Sequence, residues 1–147
     1  MSFTFPQEYG YVLLAATTPF FVNMYHGQLT MVNRKAANIR YPNAYASHDQ
    51  AEKDPKAFSF NCAQRAHANF TENVTSFTTA LLIAGLRYPT VVAAAGTVWS
   101  LCRALYARGY VKKGPEGRVA WSIGAVLIDF GLKLTAVYTA AMFALGK

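Results

Sequence analysis

Four apolar stretches, residues 11–32, 58–86, 90–110 and 119–145, dominate this chain, and each approaches the roughly 20 residues an α-helix needs to cross a bilayer. Lipid is the solvent they imply. The sequence is 53% hydrophobic and only 14% charged, whereas a soluble domain carries about 25% charged residues. The expected fold is therefore an all-α membrane protein, a bundle of four transmembrane helices in one domain over residues 1–147. The first two stretches are weak by hydropathy alone, because Asn23, His26, Gln28 and the polar head of the second interrupt them. The opening MSFTFPQEYG lacks a positive start and a compact apolar core before a small-residue cleavage site, so it does not read as a cleaved signal peptide.

Polar punctuation separates the spans: a long loop over residues 33–57, the tight RYPT connection and the KKGPEGR loop. Arg34, Lys35, Arg40, Lys53 and Lys56 lie in the first loop and Arg108, Lys112, Lys113 and Arg118 around the third, against Arg87 alone in the second. The positive-inside rule then puts the first and third loops in the cytosol. The net charge of +7 is accordingly a topology signal, and no soluble basic face suggests nucleic acid. Cys62 and Cys102 both fall inside predicted spans, where packing as small apolar residues is the default and a disulfide framework is not expected. No metal site is expected.

The segment NCAQRAHANFTE, residues 61–72, places Asn61, Arg65, Asn69, Glu72 and Ser76 at spacings of four, four, three and four, one stripe of a helix. Charge at membrane depth is costly and normally faces the protein interior or a wet cavity, so the stripe suggests a ligand site. The competing reading is that Arg65 and Glu72 merely neutralise each other or partners on adjacent helices. A second stripe, Trp99, Arg103, Tyr106 and Tyr110, recurs at four, three and four on the third helix. Taken alone, Tyr110 reads as an interfacial anchor. Asp129 and Lys133, four apart in the last helix, read as an intrahelical ion pair. Asn69-Phe-Thr71 and Asn73-Val-Thr75 match the glycosylation pattern but lie in a predicted span.

These segments resemble the membrane-associated proteins in eicosanoid and glutathione metabolism, and within that family the microsomal glutathione S-transferase 3 type. EYGYVLL, YPNAY, FNCAQRAHANFTE and WSLCRALYARGY carry the resemblance over nearly the whole chain. It implies a homotrimer in the endoplasmic reticulum or mitochondrial outer membrane, with glutathione held between subunits near the cytosolic side. It further implies that Arg65, His67, Asn69 and Glu72 bind the charged ends of glutathione, with Arg103, Tyr106 and Tyr110 completing the pocket. Arg34, or Lys35 in its place, resembles a first-helix residue that reaches the ligand. Arg118 falls where family members keep an arginine beside the sulfur, which would lower the thiol pKa and yield a thiolate; Tyr106 is the next candidate for that role.

The implied activity is attack of that thiolate on a lipophilic electrophile, or on a lipid hydroperoxide, with the second substrate arriving from membrane lipid. Asn73 stands where leukotriene C4 synthase-like members have tyrosine, and Tyr106 where prostaglandin E synthase-like members have histidine, which argues against both branches. The alternative is a non-catalytic lipid-binding adaptor of the 5-lipoxygenase-activating-protein type, which lacks the signature arginine that Arg65 supplies here.

Overall fold

The computed structural model describes residues 5–147. Residues 1–4 lie outside the described residues, so the expectation that the opening segment is no signal peptide concerns, in part, residues of which nothing structural is stated. The fold is all-helical and consistent with a membrane-associated helical bundle. Its long helices are α1 (Tyr9–Ala36), α3 (Pro55–Gly85), α4 (Pro89–Lys113) and α5 (Val119–Ala144). A short α2 (His48–Lys53) interrupts the first loop, and a 3-10 turn (Gly114–Arg118) joins α4 to α5.

Local chemistry sets these boundaries. Asp54 caps α3 by accepting from the Lys56 N–H at 2.8 Å, and Pro55 occupies the first helical position, where a missing N–H costs nothing. Ser47 caps α2 with a reciprocal Gln50 contact, a capping box that holds a helix of six residues otherwise too short to persist. At the end of α4, Gly114 has φ +66° and ψ −156°, a region open essentially to glycine alone, and the α-helix ends there.

Helices α3 and α4 form the centre. α1 packs on both from one side and α5 on both from the other, and α1 and α5 do not touch. Phe77 and Trp99 stack with ring centroids 3.6 Å apart, Phe70 lies 6.0 Å from Trp99, and His26 of α1 stacks on Phe70 at 4.9 Å. This aromatic column joins the three helices in a core that also buries Val12, Leu81 and Leu132.

Outward faces are apolar as well: Phe20, Phe21 and Met24 on α1 and Leu127, Phe130 and Val137 on α5 are exposed. Apolar exposure on this scale marks a surface meant for lipid or another chain. Among the described residues one stretch, Pro89–Ala144, is long and apolar enough to cross a membrane by length and composition. It contains both α4 and α5. The polar groups of α1 and α3 keep those helices below the same threshold.

Candidate functional site

The second polar stripe is where the helices enclose space. Between α3, α4 and α5 lies a cavity of about 340 Å³, bordered by Asn69, Trp99, Arg103, Tyr106, Arg118 and Asp129. Arg103 is 5% exposed; one Nη donates to Asn69 Oδ1 at 2.8 Å, and its guanidinium lies 4.6 Å from the Tyr106 ring centre and 5.8 Å from that of Trp99. The helical spacing of Trp99, Arg103 and Tyr106 stacks these partners on one face, so the cation rests on aromatic faces it would otherwise have to find in solvent.

Tyr106 is shared between two arginines. Its ring receives Arg103, and its hydroxyl accepts from Arg118 Nη1 at 2.9 Å. Arg118 also lies 4.5 Å from the centre of the Tyr110 ring, which meets Tyr106 edge to face at 5.9 Å. Arg118 closes the 3-10 turn, and that turn is fixed by backbone contact: a Cβ on Gly109 would strike the Gly117 carbonyl, and one on Gly117 would strike that of Gly109. Two glycines therefore bring the turn onto α4 at van der Waals distance and set where Arg118 points.

Each guanidinium carries five N–H donors, and among the described residues the hydrogen bonds to Asn69 and Tyr106 occupy one on each. The remainder, with two positive charges on one cavity, favour an anion: Arg is suited to bidentate capture of carboxylate, and a neighbouring guanidinium stabilises a thiolate.

The remaining sequence-predicted residues lie elsewhere. Arg65 and Glu72 bond to each other at 3.1 Å across two turns of α3, with side chains 50% and 52% exposed. Mutual neutralisation, the competing reading of that pair, is the arrangement present in the single chain. Arg65 borders a second cavity of about 470 Å³ with Tyr45, Phe58, Asn61, Cys62 and Tyr110, and Glu72 borders neither cavity. Tyr110 belongs to the wall of this second cavity and carries Arg118 on its ring, so the two spaces adjoin there.

His67 turns to α1, where its Nε2 lies 3.1 Å from Asn23 Oδ1 and its ring 5.9 Å from that of His26. Arg34 is buried in the loop cluster: Nη1 donates to the Asn43 carbonyl at 2.7 Å, and the guanidinium sits between the Tyr41 and Phe60 rings at 4.4 and 4.5 Å. Lys35 is exposed. The structure thus gathers Asn69, Arg103, Tyr106, Tyr110 and Arg118, keeps Arg65 and Glu72 as a pair beside them, and leaves Arg34 and His67 with other partners.

Two features escaped the sequence. Asn61, read as part of the stripe, instead exchanges two hydrogen bonds with the Ala46 backbone, at 2.8 and 3.1 Å, and clasps the loop to α3. Asp129 borders the first cavity from α5 in addition to pairing with Lys133. Its signal was available, since Arg118, Ser122, Ala125 and Asp129 repeat at four, three and four, the spacing that marked the other stripes. Among the described residues no cluster of His, Cys, Asp and Glu is placed to hold a metal.

The family model of the MAPEG family matches residues 12–138. The chain belongs to the MAPEG family, and the matched segment covers most of α1 and α5, all of α3 and α4, and every residue of the cavity just described.

Proposed function

We propose that this protein is a membrane-embedded glutathione transferase and peroxidase of the microsomal glutathione S-transferase 3 type, one domain over residues 1–147 acting as a homotrimer. It binds glutathione, holds the thiol as thiolate, and conjugates it to lipophilic electrophiles or uses it to reduce lipid hydroperoxides. In conjugation a C–S bond forms as the electrophile's leaving group departs or its strained ring opens. In reduction the O–O bond breaks, the lipid leaves as an alcohol and the sulfur is oxidised for a second glutathione to reduce.

The observation that carries this reading is the Arg103–Tyr106–Arg118 arrangement, two guanidiniums joined through one tyrosine at a shared cavity. Arg118 is the group assigned to the sulfur, with Tyr106 holding it. Arg103, Asn69 and Tyr110 take the peptide. Arg65 and Glu72 face outward and serve glutathione at the seam between copies, where a carboxylate of the ligand replaces Glu72 on Arg65 and frees Glu72 for the ammonium. Arg34, Lys35 and His67 are ligand contacts only where a neighbouring copy presents glutathione to them. The membrane is that of the endoplasmic reticulum or the outer mitochondrial membrane, with the site towards the cytosol, where the basic loops lie.

Calorimetric titration of glutathione into the detergent-solubilised protein, followed by a conjugation assay with an activated aryl halide, tests the proposal. Binding and turnover are expected, from protein that sizes as a trimer in mild detergent. Lipid binding without glutathione binding would fit the adaptor instead, and active monomers would remove the seam from the account.

A further inference from the structure

Helix α4 packs against α1, α3 and α5, and one face of it remains uncovered. From Val98 that face continues through Leu101, Leu105, Arg108 and Lys112, at spacings of three, four, three and four. At about 100° per residue these five span about 80° of arc, roughly opposite Arg103. Val98 and Leu101 are exposed, Leu105 is half-buried, and Arg108 and Lys112 are exposed. The stripe is thus hydrocarbon for its first three members and cationic for its last two. Val98 lies about 15 Å along the axis from Arg108, the depth of one hydrocarbon leaflet.

Among the described residues neither Arg108 nor Lys112 has an ion-pair partner, and Glu116, the acid of the following 3-10 turn, is paired with neither. The positive-inside rule asks only for cations near the cytosolic end, on any face. The helix dipole favours them in the last turn, which Lys112 occupies and Arg108 precedes. Neither effect sets the two cations on one line with the exposed apolar residues below them. Arg captures phosphate in bidentate fashion and Lys acts as a point charge about 6 Å further along the axis. A neighbouring helix would have to cover both charges without answering them, and charged residues are depleted from the cores of protein interfaces. A choline headgroup would bring a third cation to the pair.

We infer that this face of α4 holds an anionic phospholipid of the cytosolic leaflet, with an acyl chain along Val98, Leu101 and Leu105 and the headgroup between Arg108 and Lys112. That α4 crosses a bilayer with this end in the cytosol rests on the membrane reading proposed above; the glutathione chemistry is not needed for it.

The test offers full-length protein in mild detergent equal amounts of phosphatidylserine and phosphatidylcholine with the same acyl chains, and counts retained lipid by native mass spectrometry at low salt. Phosphatidylserine is expected to be favoured about 25-fold, about fivefold for each cation near an anionic headgroup. Arg108→Gln and Lys112→Gln should each reduce the preference to about fivefold, and the two together should abolish it. Both side chains are exposed and unpaired, so the melting temperature should not change. Lys53→Gln with Lys56→Gln removes the same charge from exposed positions off the stripe and should leave the preference intact.

Equal retention of the two lipids by the parent, or a preference that survives in the Arg108→Gln, Lys112→Gln double variant, would overturn the inference. An equal loss from the Lys53, Lys56 pair would reduce the effect to diffuse surface charge and overturn it as well. Glycerophosphoserine, the headgroup without chains, should not displace the lipid at equal concentration; displacement would mean a phosphate site rather than a lipid face. Protein that stays in solution without detergent or lipid would remove the membrane reading and this inference with it. Failure to bind glutathione in calorimetry on the same samples would sink the proposed chemistry alone, with the lipid comparison still deciding the α4 face.

Discussion

Arg65 and Arg103 sit on adjacent helices of one subunit and are treated in opposite ways. Arg103 is buried, bonded across to Asn69 of α3 and laid on two aromatic rings of its own helix, so its position is part of the fold. Arg65 is half-exposed, paired chiefly with Glu72 of its own helix and reached also by Tyr45 of the first loop. An arginine fixed by several partners shapes a cavity and imposes charge on it. An arginine in an exposed ion pair gains little from its partner and exchanges it readily for a ligand carboxylate. The difference separates the preformed half of the proposed site, built within the chain, from the outward half that the proposal assigns to the seam between copies.

Breaking the preformed half should have the largest effects. Trp99 carries the Phe77 stack on one side and borders the cavity on the other, so Trp99→Ala should cost about 3–5 kcal/mol of stability. Thermal denaturation in detergent measures it, and a melting temperature like that of the parent would mean the aromatic column is not what joins the helices. Arg118→Ala is next: turnover should fall about 10²–10³-fold, the usual cost of one preorganised donor to a developing or resting anion. Because Arg103 and Asn69 remain, glutathione affinity by calorimetry should change far less.

Sharpening the comparison needs smaller changes. Gly109→Ala places a methyl group against the Gly117 backbone, and overpacking of this kind costs about 1–3 kcal/mol. The turn must move, so turnover should fall with stability; a mutant that is destabilised yet fully active would show that Arg118 tolerates displacement. At the outward half, Arg65→Ala should leave the melting temperature unchanged while weakening glutathione binding. Unchanged affinity in the folded mutant would make the Arg65–Glu72 pair a solvated ornament of α3 and confine the site to the inner cavity.

How much of this the sequence disclosed follows from helix geometry. The α4 stripe was legible because Trp99, Arg103 and Tyr106 all turn to one packed face, where period alone decides their neighbours. The α3 stripe was only half legible. At about 100° per residue Glu72 lies within about 20° of Arg65, but Asn69 is about 40° away, and the edge of the α4 contact falls between them. Asn69 is thereby turned to Arg103, while the long side chains of Arg65 and Glu72 lean outward.

His67, far around the helix from Arg65, goes to α1. Burial of Arg34 depends on the path of the first loop, which its own helix does not encode: that path is set by the Asn61 clasp, at a position that read as part of the α3 stripe, and by the Ser47–Gln50 capping box.

The central claim is that Arg118, held by Tyr106, keeps the glutathione thiol ionised. Thiolate absorbance near the ultraviolet edge, titrated against pH with glutathione bound to parent and to Arg118→Ala, tests it directly. The account predicts a thiol pKa depressed below that of free glutathione in the parent and raised in the mutant, because the neighbouring cation favours the charged form. Turnover of the mutant should accordingly recover in part in alkali. A bound thiol with the same pKa in both proteins would contradict the claim and transfer the role to Tyr106, whose hydroxyl would then be the donor to sulfur.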